Sequence, residues 1–309
     1  MRSYRQLTQE QRYQIYALNG TGHTQTEIAE VVGVHKSTIR RELQRKPQGK
    51  PRITAATWVL VETLLKQEWS PEQISGRLKK EKGLRISHEW IYQYILADKQ
   101  ADGDLYKHLR CQTCPGGRCQ GKNRRKRYGT YDRRGKLPNC RSIEQRPAVA
   151  NARKRLGDWE VDTILGRKHK QAMVTLTERK SRFTFVSKIK QRTAHSVRKQ
   201  ICTLLLPVMD KVHPLTSDHG KEFADHEQIA ETRNLKFYFA HPYAAWERGT
   251  NQNTNGLLRQ YFPKKCDFQS VSNTQVEQAA SKLNFRPRKS LRFKTPFEVF
   301  YNTSVALTS

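Results

Sequence analysis

The stretch from residue 158 to residue 189 decides the fold, because it holds three strand-like segments, DWEVDTIL (158–165), AMVTLT (172–177) and FTFVSKI (183–189). Their apolar, β-branched and aromatic residues recur with a period of two, which is typical of strands. Two more strands and four helices are predicted further on, the strands at 214–218 and 236–241 and the helices at 193–206, 226–233, 250–262 and 274–284. The order βββαβαβ predicts an α/β domain at 151–309 with a mixed five-stranded sheet covered by helices.

The sequence pattern of the N-terminal part predicts short helices instead of strands. A capping box formed by Thr24 and Glu27 opens one helix, and Gly33 ends it. The next helix runs from about His35 to Gln44. Three short helices with a glycine turn between the last two predict a helix-turn-helix DNA-binding domain at 1–46.

A similar pattern recurs at 57–100. Residues 57–66 (TWVLVETLLK) form an amphipathic pattern, and Ser70 and Ser87 are predicted helix caps. A second helix-turn-helix unit is therefore predicted, so that the N-terminal part is all-α with two such units in tandem. The last helix of this unit lacks a basic row, which leaves dimerisation or packing as the alternative to DNA binding.

The helix at 35–44 has one apolar face and one polar face. Ile39 and Leu43 are four residues apart and share the buried side. The other side presents donors for base edges and charges for phosphates, namely Lys36, Ser37, Arg40, Arg41 and Gln44. These side chains are the candidate DNA-reading residues, and a solvated basic helix on an ordinary three-helix bundle is the alternative.

The composition narrows the class of partner. The chain has 309 residues with 58 Lys or Arg and 28 Asp or Glu, so the formal net charge is +30 and the pI is about 10.2. Such an excess favours binding to a polyanion, either nucleic acid or an anionic membrane. The longest apolar stretch, TLLLPVM at 203–209, is too short to span a membrane. Double-stranded DNA is therefore the expected partner, and an intracellular location is expected.

A basic connector is predicted at 101–150. Residues 106–146 hold 13 Lys or Arg and only two acidic residues, and Arg124, Arg125, Lys126 and Arg127 form a continuous basic run. We interpret the connector as a mostly irregular segment that orders on nucleic acid. Its other feature is a set of side chains with plausible Zn²⁺ spacing: His108, Cys111, Cys114 and Cys119. Free thiols in a basic loop are the alternative.

Two carboxylates in the second half suggest a metal site. Asp162 lies inside an apolar strand, and Asp218 ends a strand before a tight turn. Burying a carboxylate without a partner is costly, so two of them on separate strands suggest a shared cation. Hard oxygen ligands suit Mg²⁺ or Mn²⁺, and a two-ion site would serve phosphoryl transfer. The alternative is one surface aspartate and one turn former.

Six motifs together carry a family resemblance: EIAEVVGVHKSTIRREL (27–43), WSPEQI (69–74), GDWEVDT (157–163), TSDHGKEF (216–223), WERGTNQNTNGLLRQYFPK (246–264) and NFRPRK (284–289). With them the sequence resembles the DDE transposases of the IS-thirty family of bacterial insertion sequences over nearly its whole length. The resemblance implies a ribonuclease-H-like (integrase-type) catalytic domain and Mg²⁺-dependent cleavage at terminal inverted repeats. It also implies transfer of the freed 3′-hydroxyl to target DNA and a bacterial cytoplasmic location beside the nucleoid. The first two acidic ligands of the family map onto Asp162 and Asp218.

The third acidic position of the family is occupied by Gln252, with 33 residues between it and Asp218. The flanking residues are intact, so only the carboxylate is missing, and we expect a catalytically impaired protein. A substitution made to hold a DNA complex unreacted is our hypothesis, and decay of a natural copy is the alternative. Glu247 is a candidate substitute ligand, but its place outside the regular helix favours a structural or DNA-contacting role.

Three basic residues near these positions, Lys221, Arg248 and Arg259, are candidate phosphate clamps, with surface solubility as the alternative. Because transposition brings two DNA ends together, at least a homodimer is expected. The first functional hypothesis is therefore a transposase. The second is a non-catalytic, sequence-specific DNA-binding regulator derived from one, which Gln252 favours. A repair nuclease is a third, but it gives no reason for two site-reading modules.

Overall fold

The structure is a computed structural model that describes residues 7–20, 22–44, 53–110, 137–167, 171–242, 244–264, 266–305 and 307. The chain divides into two compact units, Met1–Trp58 and Val59–Ser309. In the described part of the chain, no helix has both the length and the apolar character needed to cross a membrane.

The first unit contains the predicted helix-turn-helix. Its helices are α1 (Gln9–Gly20), α2 (Gln25–Val32) and α3 (Lys36–Gln44). The Thr24 hydroxyl accepts a hydrogen bond from the Glu27 amide at 3.4 Å, and the Glu27 carboxylate accepts one from the Thr24 amide at 2.8 Å. Gly33 ends α2 with a φ of 68°, a left-handed conformation that glycine adopts without strain. A small apolar core of Ile15, Ile28, Ala29, Val32 and Ile39 joins the three helices.

Three further helices follow, α4 (Ala55–Lys66), α5 (Pro71–Glu81) and α6 (His88–Gln100). The boundary between the two compact units falls within α4. Ser70 caps α5 with a capping box completed by Gln73, and Pro71 occupies the first turn. Ser87 caps α6. The structure thus groups most of the segment predicted as a second helix-turn-helix with the residues of the α/β domain.

The second unit contains a six-stranded mixed sheet. Its strands are β1 (Arg141–Ser142), β2 (Trp159–Leu165), β3 (Ala172–Glu178), β4 (Thr184–Ile189), β5 (Pro214–Ser217) and β6 (Lys236–Phe239). Their order in the sheet is β1-β6-β5-β2-β3-β4. The pairs β2–β3 and β3–β4 are antiparallel, whereas β5 is parallel to both β2 and β6, and β1 is parallel to β6. An antiparallel meander followed by parallel strands on its first-strand edge is the ribonuclease-H-like arrangement.

The sheet has one strand more than the five that the sequence predicts, namely β1. Residues Arg141 and Ser142 lie in the segment expected to be irregular, but they pair with Tyr238 and Phe239 at the sheet edge. Two residues are too few to show an alternating pattern, so the sequence gives no signal for this strand.

Helices cover both faces of the sheet. They are α7 (Ala148–Asn151), α8 (Ala194–Leu205), α9 (His226–Arg233), α10 (Gly249–Leu258), α11 (Asn273–Asn284) and α12 (Pro296–Tyr301). One apolar core includes Trp159 and Val161 of β2 together with residues of α8 and Phe300 of α12. The other core includes Ile164 of β2 with residues of α10 and α11. The alternation of β2 therefore supplies both layers.

A buried ion pair fastens α5 to the C-terminal segment. Arg77 is 1% exposed, and its guanidinium donates to both carboxylate oxygens of Glu298 at 2.7 Å. It also donates to the Val305 carbonyl at 2.8 Å and the Phe293 carbonyl at 3.0 Å. Because these contacts join residues more than 200 positions apart, α5 is fixed to the end of the same unit that carries the sheet.

Candidate active site

Two aspartates lie level with each other on neighbouring strands. Asp162 is in β2, and Asp218 follows β5 directly. The parallel register of these strands pairs Trp159 with Leu215 and Glu160 with Thr216. Extending the same register places Asp162 opposite Asp218, at the carboxyl end of β5. The carboxyl ends of parallel strands are a common place for ligand sites in α/β sheets.

Arg248 is shared by the two carboxylates. Its Nη2 atom lies 3.1 Å from Asp218 Oδ2, and its Nη1 atom lies 3.4 Å from Asp162 Oδ2. The Asp162 Oδ1 atom also accepts a hydrogen bond from the Thr163 amide at 2.8 Å, and Asp218 Oδ1 accepts one from the Gly220 amide at 3.2 Å. A single cationic group thus reaches both aspartates, whose other oxygens are held by the backbone.

The surroundings of Asp162 disfavour its negative charge. Burial raises the pKa of Asp162, and the neighbouring Asp218 and Glu222 carboxylates raise it further, while Arg248 and the Thr163 amide oppose the shift. The resulting pKa is about 6. About a quarter of the side chain is exposed, so an ion arriving from solvent can reach it. A cation bound beside Asp162 would offset both the burial and the repulsion between the carboxylates.

Helix α10 is fixed to the sheet beside Asp162 by two asparagines. The Asn255 amide nitrogen donates to Asp162 Oδ2 at 3.0 Å, and its carbonyl oxygen accepts from the Thr175 hydroxyl at 2.9 Å. Asn251 is completely buried, and its side chain donates to the Glu160 and Thr175 carbonyls at 3.0 and 3.2 Å. These bonds set both the position of α10 and the orientation of the Asp162 carboxylate.

Gln252 lies on α10 with an exposed side chain. It comes three residues before Asn255, and residues at this spacing lie on the same side of a helix. Since Asn255 donates to Asp162, the side of α10 that carries Gln252 is near the one turned toward that aspartate. Glu247, the candidate substitute, instead accepts hydrogen bonds from the backbone and ring nitrogens of His241, both at 2.8 Å.

The same site contains a further buried carboxylate, Glu222, which was not among the predicted site residues. Glu222 is 7% exposed, and it accepts hydrogen bonds from the Thr163 hydroxyl at 2.9 Å and from Arg192 at 2.5 Å. It therefore ties the turn after Asp218 to the residue that follows Asp162. Its signal in the sequence was its place four residues after Asp218 in TSDHGKEF.

The other two candidate phosphate clamps differ from Arg248. Lys221 is exposed on the turn that follows Asp218. Arg259 donates to the Leu165 carbonyl at 2.9 Å and to the Phe262 carbonyl at 3.3 Å, so it joins the ends of α10 and β2. The contacts of Arg259 account for it structurally, and its role in phosphate binding stays a prediction.

The five candidate DNA-reading side chains are all exposed on α3 of the first unit: Lys36, Ser37, Arg40, Arg41 and Gln44. Ile39 is completely buried, and Leu43 packs against the same core, so the predicted division of the helix into two faces is confirmed. Ser37 also contacts the ring of His35 at 2.8 Å.

Part of the predicted connector lies outside the described residues. This holds for Arg124, Arg125, Lys126 and Arg127 and for the candidate zinc ligands Cys111, Cys114 and Cys119. His108 is described, and it is half-buried at the end of a short 3₁₀ helix, Leu105–His108. Within the ranges that the structure covers, no group of three or more His, Cys, Asp or Glu side chains is arranged to hold a metal ion.

Comparison with known proteins finds a match to the N-terminal domain and relatives over most of the chain. A family model described as a helix-turn-helix domain matches residues 3–46. The chain is 40% identical over 317 residues to the transposase for insertion sequence element IS4351 of Bacteroides fragilis, covering 95% of each protein. It is 36% identical over 256 residues to transposase InsI for insertion sequence element IS30A of Escherichia coli, covering 81% of this chain and 65% of that protein. The chain belongs to the IS-thirty family of insertion-sequence transposases.

A further transposase, that of insertion sequence element IS1086 of Cupriavidus metallidurans, is 33% identical over 332 residues and covers 96% of this chain. Among solved structures, the catalytic core domain of BIV integrase overlays 47% of this transposase with a TM-score of 0.38 and 20% sequence identity. The family membership gives the transposase its general activity, which is DNA transposition, and its partner, which is DNA.

Proposed function

We propose that this transposase binds the terminal inverted repeats of its element through α3, and that it cuts and joins DNA strands at the site formed by Asp162 and Asp218. The observation that carries the second part is the convergence of both carboxylates on Arg248. Two aspartates that one cation can reach from adjacent strands are the arrangement that divalent-metal phosphoryl transfer uses.

The donor set suits Mg²⁺ or Mn²⁺. Asp162 and Asp218 offer hard carboxylate oxygens. The burial and the neighbouring carboxylates that raise the pKa of Asp162 also favour a bound cation beside it. We propose that these two side chains hold a two-ion site. Ions held by Asp162 and Asp218 would supply Lewis-acid chemistry, namely polarisation of the scissile phosphate and a lower pKa of an attacking water or 3′-hydroxyl.

The remaining groups of the site orient the two carboxylates and supply positive charge for a DNA phosphate. Asn255 and the Thr163 amide fix the Asp162 carboxylate, and the Gly220 amide fixes that of Asp218. Arg248 and the exposed Lys221 supply positive charge beside the carboxylates, where a phosphate of the DNA would otherwise meet only like charge. Both are therefore proposed phosphate contacts.

Gln252 is proposed to stand at the third ligand position and to leave the enzyme impaired. A glutamine retains one carbonyl oxygen but lacks the charge of a carboxylate, so the second ion would bind more weakly while DNA still docks. The alternative function, a DNA-binding regulator without catalysis, rests on the same residue. We also propose that two copies act together, because transposition requires two DNA ends in one assembly.

The DNA-reading role of α3 has its own test. Arg40→Ala should weaken binding to the terminal-repeat duplex by about 1–3 kcal/mol if the guanidinium contacts a base edge, which is about 5- to 150-fold. Fluorescence anisotropy at fixed salt measures the dissociation constant of each protein for the duplex.

The matched control for this binding test is Lys236→Ala. It removes one exposed charge at the start of β6, away from the carboxyl end of the sheet, and we expect it to leave the affinity nearly unchanged. Footprinting with and without residues 1–46 gives a second reading. Protection of the repeats that survives this truncation would refute the assignment.

A further inference from the structure

One large apolar side chain is exposed two residues before Arg248, the residue that contacts both aspartates. Trp246 is 76% exposed, whereas Trp159 and Trp69 are 0% and 7% exposed and belong to apolar cores. A tryptophan is among the side chains that gain most from burial, so an indole left in solvent next to a functional site suggests a ligand with an aromatic face.

The backbone that carries Trp246 is anchored on both sides. Ala244 is 5% exposed, and Glu247 accepts hydrogen bonds from His241. Arg248 contacts Asp218 at 3.1 Å, and Asn251 is completely buried against the sheet. The short 3₁₀ helix Ala245–Arg248 is thus held at its ends, so the backbone of Trp246 is fixed two residues from the arginine that contacts both aspartates.

We propose that Trp246 is a stacking platform for an unpaired DNA base next to the phosphate bound at Asp162 and Asp218. This inference rests on the proposed function, since it requires DNA at that site. Bases inside a duplex have both faces covered by their neighbours, so only an unstacked base offers a free face to the indole. The net charge of +30 and the nearby Arg248 favour a nucleic acid over an apolar protein segment.

Stacking of this kind has a measurable size. Removing one aromatic platform costs about 5- to 150-fold in affinity per stacked base. The stacking partner can be identified from binding alone. If the stacked base is missing from the DNA, removing the indole should cause no further loss of affinity. The coupling between Trp246 and one base is therefore the quantity to measure.

The experiment is a binding cycle on the full-length protein. The proteins are the unmodified chain, Trp246→Ala, Trp246→Phe and the control Trp90→Ala, whose indole is 62% exposed on α6. The probes are terminal-repeat duplexes carrying a single abasic site, moved one nucleotide at a time across the cleavage position. We expect Trp246→Ala to lose 5- to 150-fold on intact DNA and at most about 2-fold when one particular base is missing.

Trp246→Phe should keep most of the affinity, and Trp90→Ala should show no coupling to that base. A loss that is equal on every probe, a change in oligomeric state alone, or no loss at all would overturn the stacking role. If the unmodified protein does not prefer terminal-repeat DNA to unrelated DNA, the proposed function itself fails and the stacking proposal fails with it.

Discussion

Gln252→Glu should cleave a terminal-repeat duplex in Mg²⁺ at least about 100-fold faster than the unmodified transposase. Removing an outer partner of a metal ligand costs 10- to 100-fold, and restoring a missing ligand should exceed that range. The substitution places a carboxylate on the side of α10 that already carries Asn255, which donates to Asp162. The measurement is the rate of strand cleavage on labelled DNA in Mg²⁺ and in Mn²⁺.

Asn253→Glu is the matched control for this experiment. It adds the same side chain one residue later, at another exposed position of α10. A step of one residue turns the side chain by about 100° around the helix, away from the face of Gln252. We expect no gain in rate from it. Full activity of the unmodified protein, or equal gains from both substitutions, would contradict the assigned role of position 252.

Arg77→Met should destabilise the larger unit by about 3–5 kcal/mol, because it leaves the Glu298 carboxylate buried without its partner. Glu298 is 6% exposed, and two bonds of 2.7 Å join it to Arg77. Urea unfolding followed by fluorescence measures the change.

Lys289→Met is the comparison for this buried pair. Lys289 pairs with Glu72 between the same two segments, but their side chains are 73% and 49% exposed. An exposed pair contributes about 0–1 kcal/mol, so this substitution should change the free energy of unfolding little. Equal effects of the two substitutions would show that burial of Arg77 is unimportant.

The Arg77–Glu298 pair makes the free energy of unfolding depend on pH. Burial alone raises the pKa of Glu298, but hydrogen bonds from Arg77 and from the Thr295 and Val305 amides outweigh it and lower the pKa to about 2, from an ordinary value of 4.5. Stability from this group is therefore present above pH 4.5 and is lost as the pH falls toward 2. The stability difference between the unmodified protein and Glu298→Gln should shrink over that range, and a constant difference would contradict it.

Much of the fold follows from local sequence signals. The capping boxes at Thr24 and Ser70 fix where α2 and α5 begin, because they satisfy backbone donors within a few residues. The strand β3 is buried at all seven positions and was recognisable from its apolar and β-branched residues. The edge strand β1 was not recognisable, since its two residues form a strand only through pairing with β6.

The site also contains residues that the sequence predicted and residues that it did not. Asp162 and Asp218 stood out because a carboxylate in or directly after an apolar strand needs a partner. The roles of Glu222, Asn251 and Asn255 depend on contacts between residues 59 to 93 positions apart, as in the bond from Asn255 to Asp162. Spacing in the sequence does not reveal such contacts, because they are set by the register of β2 against β5 and by the placement of α10.

The most direct test of the metal-dependent transposase function is cleavage of a labelled terminal-repeat duplex by the Gln252→Glu protein, alone and combined with Asp162→Asn or Asp218→Asn. All three proteins should bind the duplex, because α3 lies in the other unit. We expect Mg²⁺-dependent cleavage at the end of the repeat by the first protein and none by either aspartate variant. Cleavage that survives both asparagine substitutions would contradict the assignment of Asp162 and Asp218 as the metal-binding pair.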